Sequence, residues 1–328
     1  MKTYINGVGL ISTQETFKTE FSLQVPTATE DGRWEATLPP IKEYLSPKVY
    51  RRMSKVIRMG VLSTLIAMED AGVKSEELSG VIVGTGLGCL VSTEKFLNSM
   101  VTSEESMVNP SSFIVSTHNT IAGQIGLVLK NNGYNTTYSQ EGTSFENALL
   151  DGFLFTKERK NTNWLVGGID ELTPTVQQLY KENNYGGQWG EGAGVFIISD
   201  QKSESTYAEI VDVKAVLQSD ESLNSTIDNF LQENEINKED IDLVLTGDAG
   251  NEALKLLYAE ARLEVLNFKK WSGEYHTASS FGVGLAAKMM KDETLRQSLL
   301  GKGKVVNTVL VHTTFFDGTQ GLILLRNV

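Results

Sequence analysis

Residues 136–152, TTYSQEGTSFENALLDG, run from a short β-rich stretch through a turn into a helix. A turn that opens a helix presents free backbone N–H groups and the positive end of the helix dipole, a setting that stabilises a thiolate or an oxyanion. Gly142, at the centre of this turn, has the backbone for that task and no side chain that could attack. Other reactive side chains are sparse: the 328 residues hold one cysteine, Cys89, and three scattered histidines, His118, His276 and His312. That inventory excludes an intramolecular disulfide framework, a multi-cysteine metal site and a histidine ligand cluster, so no metal or cofactor is expected. His276 stands in WSGEYHTASSFGVGLAAKM, just before a helix of small residues that can pack closely enough to wall a tight pocket. A lone histidine is also commonly structural, because a catalytic imidazole needs an orienting partner. His312, in a strand pattern, reads as a satisfied core or edge residue, and His118 as lining a pocket or, preferably, an interface. Cys89 follows the glycine turn GTGLG (residues 84–88) and reads as a buried free thiol. In that turn the third glycine comes one residue too early for a dinucleotide fingerprint.

The elements that must position these residues alternate strand and helix, which argues an α/β protein. TYINGVGLI reads as a first strand rather than a leader. Ser54 opens a long amphipathic helix, SKVIRMGVLSTLIAMEDAG, that ends at Gly72. VIVGTGLG is a buried strand entering a glycine turn, with a helix over about 92–101 after it. Pro110 then opens a single helix carrying STHNTIAGQIGLVL, and WLVGGID and GAGVFIIS are buried strands. After Asp200 the order restarts: YAEIVDVKAV strand, STIDNFLQENE helix, IDLVLTGD strand, NEALKLLYAEARL helix, SSFGVGLAAKMM helix, then NTVLVHTTFF and QGLILLR as paired strands. Two halves of like order suggest a duplication, divided into residues 1–203 and 204–328, with DQKSEST (200–206) as the linker.

Composition bounds the function. Apolar content of 40% and charged content of 21% fit a soluble globular chain. The apolar runs fall short of the ~20 residues of a membrane helix. The expected location is cytoplasmic. A formal net charge of −12 disfavours nucleic acid, anionic membranes and an acidic carrier protein as partners, unless a local patch overrides the mean. Arg51, Arg52, Lys55 and Arg58 form such a patch, or are simply a solvated helix start.

Taken together, these residues resemble a β-ketoacyl synthase of the thiolase fold over nearly the whole chain. RRMSKVIRMGVLSTLIAMEDAG is similar to that family's first long helix, and VIVGTGLG with VNPSSFIVSTHNTIAGQIGLVL to its second strand and dimer-side helix. WLVGGIDELTP resembles the strand ending in GGxE, and WGEGAGVFIIS the EGAG strand. The resemblance implies two similar βαβαβαββ halves in a five-layer αβαβα arrangement. It places Gly142 at the acylated cysteine, Thr246 at the first catalytic histidine and His276 at the second, with Trp271 at the lysine of the second histidine's motif. The C-terminal GFGGTN loop resembles Phe315-Phe316-Asp317-Gly318-Thr319-Gln320, with two glycines replaced.

One catalytic side chain of four would then survive. Condensation needs a thiolate to carry the acyl chain and two imidazoles to polarise the thioester carbonyl. Relatives that lose only the cysteine can still decarboxylate, but they keep both histidines. The resemblance therefore implies a non-condensing subunit like the chain-length factors, which pair with an active ketosynthase and shape its acyl tunnel. Aromatic-polyketide members carry glutamine at the cysteine position, and those of aryl-polyene and flexirubin-type pathways are the nearer analogy. The chain is shorter than the family norm, mainly between YAEIVDV and IDLVLTG, where part of the pocket cap belongs. Expected partners are an active ketosynthase and an acyl carrier protein, with a homodimer otherwise. Asn135, Thr137, Tyr138, Gln140 and His118 would lie at the interface. Two alternatives stand beside this: an active 3-oxoacyl synthase or acyltransferase using Cys89 or Thr143 with His276, and a homodimeric acyl-binding scaffold.

Overall fold

A computed structural model describes residues 1–103, 110–217, 223–247, 258 and 263–328. In chain order the elements are β1 (Thr3–Ile11), α1 (Lys55–Ala71), β2 (Leu78–Gly84), α2 (Leu90–Thr102), α3 (Pro110–Ile114), α4 (Thr120–Leu129), β3 (Tyr134–Tyr138), α5 (Ser144–Glu158), β4 (Asn163–Asp170), α6 (Pro174–Glu182) and β5 (Gly192–Ser199). The second half follows with β6 (Ala208–Val216), α7 (Leu223–Glu233), β7 (Leu243–Gly247), β8 (Val265–Asn267), α8 (Ser279–Lys291), α9 (Glu293–Leu300), β9 (Thr308–Thr314) and β10 (Gln320–Arg326).

The strands join in the order β3-β2-β4-β5-β1-β6-β10-β9-β7-β8. Each set of five repeats one plan. β3, β2 and β4 are parallel, with β5 antiparallel between β4 and β1. β8, β7 and β9 are likewise parallel, with β10 antiparallel between β9 and β6. The sets meet where Thr3, Tyr4 and Ile5 pair with Ile210, Glu209 and Ala208. Helices α5 and α8 touch strands of both sets and form the central layer, while α1 with α4 covers one outer face and α7 the other. This is the five-layer thiolase arrangement with its internal duplication.

Close packing explains the sequence. β1 runs against α1 with almost no gap: a β-carbon at Gly9 would lie 1.9 Å from the Ser63 carbonyl oxygen. Every residue from Ser279 to Met290 on α8 is buried, which only a helix of mostly small or apolar residues could satisfy on both sides. Ser54 occupies the N-cap position of α1 without a side-chain capping bond, and Gly72 ends the helix at φ 65°. Nothing lies within 4 Å of the β-carbon that Gly72→Ala would add. That substitution should therefore cost only the left-handed backbone, about 1 kcal/mol, read as a small fall in the urea midpoint.

One expected helix is corrected, and two elements were not foreseen. The single helix expected from Pro110 is two, α3 and α4. Between them the Ser116 hydroxyl and N–H both bond to the Phe113 carbonyl, so side chains compete with helical pairing. Helix α6 and the short strand β8 had no expected counterpart. The helix expected over NEALKLLYAEARL falls almost wholly outside the described residues.

Candidate active site

The ends of β2, β3, β4 and the β9–β10 hairpin converge with the turn before α8. Asp170, 1% exposed at the end of β4, fastens them. Its carboxylate accepts from the Thr85 hydroxyl (2.8 Å), the Gly86 N–H (3.0 Å), the Thr277 hydroxyl (2.9 Å) and the Thr277 N–H (3.1 Å). The turn after β2 is thereby tied to the turn that carries His276. His276 lies flat on that glycine turn, since a β-carbon on Gly86 would come 2.2 Å from its Cγ. Lys269, buried behind it, pairs with Glu274 at 2.6 Å and donates to the Thr314 carbonyl at 3.2 Å, locking the hairpin to the same turn. Lys269 thus supplies a buried ammonium two residues before Trp271, the position at which the resemblance placed the lysine.

His276 is buried, and desolvation lowers its pKa against the opposing pull of Asp170 and Asp317. The imidazole is neutral near pH 7. Its ring centroid lies 4.5 Å from Phe315 and 6.4 Å from Tyr180. Phe315 packs tilted against Phe316 at 4.0 Å, while Phe316 stacks on Tyr185 at 3.9 Å and Tyr180 on Trp189 at 4.2 Å. An unbroken aromatic packing therefore covers the imidazole. The sequence analysis missed Tyr180, Tyr185 and Trp189; their recurrence at intervals of five and four residues in YKENNYGGQW was the available signal.

The turn at 141–143 does open α5, with Gly142 buried. Its side-chain space is filled: a β-carbon on Gly142 would stand 2.5 Å from Phe315 Cβ and 2.6 Å from its Cγ. The strained residue is one earlier. Glu141 has φ 48°, left-handed backbone that costs a non-glycine residue on the order of 1 kcal/mol. The Glu141 pKa is raised, first by desolvation and then by the hydrogen bond with Asp317 and that residue's charge. Asp317 also accepts from the Thr319 N–H and hydroxyl, and Gly318 closes the hairpin at φ 85°.

Thr246 does not join this cluster. On β7, Leu243 and Leu245 face the central core and Val244 the outer one, so strand alternation puts Thr246 on the outer face, in register with His312. The residue whose Cβ direction meets Phe268 on the central side is Gly247, at 2.5 Å. His312 is a satisfied core histidine, as expected of a strand position. Its Nε2 donates to Gln320 Oε1 and its Nδ1 accepts from Tyr258, and burial brings its pKa down to about 4. Cys89 is fully buried, its thiol pushed up to about 12 by burial and by the Glu171 charge, which disfavours the thiolate. Thr143 is also buried, and its hydroxyl donates to the Gln140 carbonyl.

β3 is the last strand of its set, and its outer edge has no strand partner among the described residues. Thr137, Tyr138 and Asn135 lie along it, the Asn135 amide bonding the Ala122 carbonyl of α4, with Gln140 just beyond. His118 is exposed beside the Gly88 turn. On the neighbouring helices, Ile121 and Ile125 are buried in the chain's own core, while Ile114 is 68% exposed. Phe113 and Leu127, 55% and 71% exposed, add apolar area nearby that the sequence analysis did not single out.

The fold and these strand-end elements define a thiolase-type protein. The sequence profile of the family described as "Beta-ketoacyl synthase, N-terminal domain" matches residues 27–227, and the chain belongs to that family. Among solved structures it is similar to the ishigamide ketosynthase/chain length factor, with TM-score 0.78, 18% identity and alignment over 100% of both chains. It is also similar to a beta-ketoacyl synthase from Burkholderia phymatum STM815, with TM-score 0.77, 17% identity, and 100% and 99% of the two chains covered. A third is AntDE:AntF, a type II PKS acyl-carrier protein in complex with its ketosynthase bound to the hexaketide, with TM-score 0.76, 12% identity and the same coverage. No curated protein sequence matches. Among the described residues, no helix is long and apolar enough to cross a membrane.

Proposed function

We propose that this protein is a non-condensing β-ketoacyl-synthase-like subunit. It pairs with an active ketosynthase, and through it with an acyl carrier protein, in fatty-acid, polyketide or aryl-polyene/flexirubin-type biosynthesis. The observation that carries the reading is the turn at 141–142. It has no thiol, and the space beside Gly142 is occupied by Phe315, which also packs on His276. The strained Glu141 supports placing the lost nucleophile at the Glu141–Gly142 apex. The first histidine's place is then better given to Gly247 than to Thr246. A buried Cys89 held as the thiol argues against the acyltransferase alternative. We take the two structural halves as residues 1–203 and 204–328, meeting in the connection between β5 and β6.

The assembly surface in this reading is the free edge of β3 with α3 and α4. Unpaired strand edges are normally covered, and the exposed Phe113, Ile114 and Leu127 suit a permanent contact. A two-fold assembly there should bury more than ~2,000 Å² in total. Incubation with acyl-carrier or acyl-CoA thioesters is expected to leave the protein unacylated by intact-mass spectrometry; a stoichiometric adduct would overturn the non-condensing assignment. Co-expression with an intact ketosynthase encoded beside it should give a single heterodimer peak on size exclusion. Thr137→Asp should abolish that peak. A wild-type chain that sediments as a monomer at micromolar concentration and binds no ketosynthase would sink the proposal.

A further inference from the structure

A second pocket lies at the far end of α8. His276 precedes the N-terminus of this helix, and Lys288 and Lys291 stand in its last turn. At 1.5 Å per residue the twelve positions from His276 to Lys288 span roughly 18 Å. A cavity of about 410 Å³ opens there, lined by Phe21, Tyr207, Lys288, Lys291, Asp292 and Leu295. A second cavity of about 460 Å³ adjoins it through Thr19 and Lys288. Both volumes fall within the range of small-molecule sites.

Lys288 is the unusual residue. It is 8% exposed, and no hydrogen bond or ion pair engages its ammonium among the described residues. The nearby carboxylates are already occupied. Asp70 accepts from the Val8 N–H at 2.8 Å and the Tyr207 hydroxyl at 2.9 Å, and Asp292 caps α9 through the Leu295 N–H at 3.0 Å. What Lys288 does face is aromatic: its Nζ is 5.5 Å from the Tyr207 ring centre and 5.8 Å from that of Phe21. Burial lowers its pKa, and Asp70 and Asp292 offset this only in part.

A cation near a helix C-terminus is favoured by the dipole, and Lys291 meets that description. It is exposed and donates to the Ser205 carbonyl at 2.8 Å. Lys288 differs, being turned inward under the segment that carries Phe21. A largely buried ammonium flanked by ring faces, with the Asp70 and Asp292 carboxylates near but not bonded to it, is matched by an anion that brings its own apolar body. The acidic residues at the rim, Glu20 and Asp292, disfavour a dianion such as inorganic phosphate.

We propose that this pocket binds a small organic monocarboxylate, its carboxylate on the Lys288 ammonium and its apolar part along Phe21, Tyr207 and Leu295. The site is separate from the His276 cluster and stands whether or not the chain condenses acyl groups. Isothermal titration calorimetry with octanoate, octanol and inorganic phosphate tests it. Octanoate should bind the wild-type chain at least about tenfold tighter than octanol, and phosphate should not bind measurably. K288M, which keeps the apolar stem, should bring octanoate down to the octanol level, whereas K291M should stay within about threefold of wild type. Equal binding of octanoate and octanol, phosphate binding as tight as octanoate, absence of octanoate binding, or unchanged octanoate affinity in K288M would each overturn the proposal. The octanoate-to-octanol ratio is read on the wild-type protein, so it decides the question even if K288M does not fold.

Discussion

Gly142→Cys should lower the stability of this protein by about 2–3 kcal/mol, as expected for overpacking a filled site. The β-carbon alone would lie 2.5 Å from Phe315 Cβ, and the sulfur would extend further toward the same side chain. Phe315→Ala should itself be destabilising by about 3–5 kcal/mol, because it removes a buried ring packed on His276 and Phe316. The two effects should not add. With the ring gone the thiol has room, so the double variant should be more stable than the sum by more than about 1 kcal/mol in urea titrations. Strict additivity would mean that the ring moves aside at little cost. The blockage of the turn would then be incidental.

Glu146→Gln should change the pH dependence of stability on the alkaline side. Glu146 lies on α5 in the central layer with no exposure, and neither carboxyl oxygen makes a well-formed hydrogen bond. Desolvation pushes it up to about 7, with the nearby Ser279 hydroxyl, the Glu146 backbone N–H and the Lys269 charge acting the other way. A carboxyl that holds its proton more tightly when folded contributes stability fully below its unfolded value near 4.5, and loses that contribution as pH rises through about 7. The span corresponds to about 3 kcal/mol. The difference in stability between Glu146→Gln and wild type should therefore move in favour of the variant by roughly that amount between pH 4.5 and pH 8.5. A difference that stays flat over this range would show that the carboxyl is solvated in the native state. Glu171, also pushed up to about 7, titrates in both proteins and cancels in the comparison.

The repeated strand order was legible because each buried strand is a short apolar run between turn residues, and the small-residue pattern of α8 announced close packing on both faces. The break between α3 and α4 was not, since it depends on Ser116 bonding its own backbone rather than on periodicity. At the site, the position of His276 before a small-residue helix could be read, and the absence of a thiol in the turn was plain. Glu141 and Gly142 could not be ranked from the sequence, because backbone angle rather than residue type distinguishes them. That Thr246 lies on the outer face was hidden for a related reason: β alternation inverts every side chain when a register is taken one residue out. The aromatic cover of Tyr180, Tyr185 and Trp189 forms only when α6 and the segment after it fold back over the β9–β10 hairpin.

The sharing of α5 and α8 between the two sets of strands has a consequence for how the chain is made. Residues 279–291 supply one of the two central helices, yet they emerge after more than four fifths of the sequence has been synthesised. Until then β1, β4 and β5 lack the helix that seals their inner face, including the Leu10 side chain against which Gly284 is pressed. The nascent first half thus leaves the ribosome as an apolar surface awaiting closure, exposed to chaperones and to other chains for the time taken to translate the second. Its duplicated plan does not give it two independent folding units, and completion of either half waits on nearly the whole polypeptide.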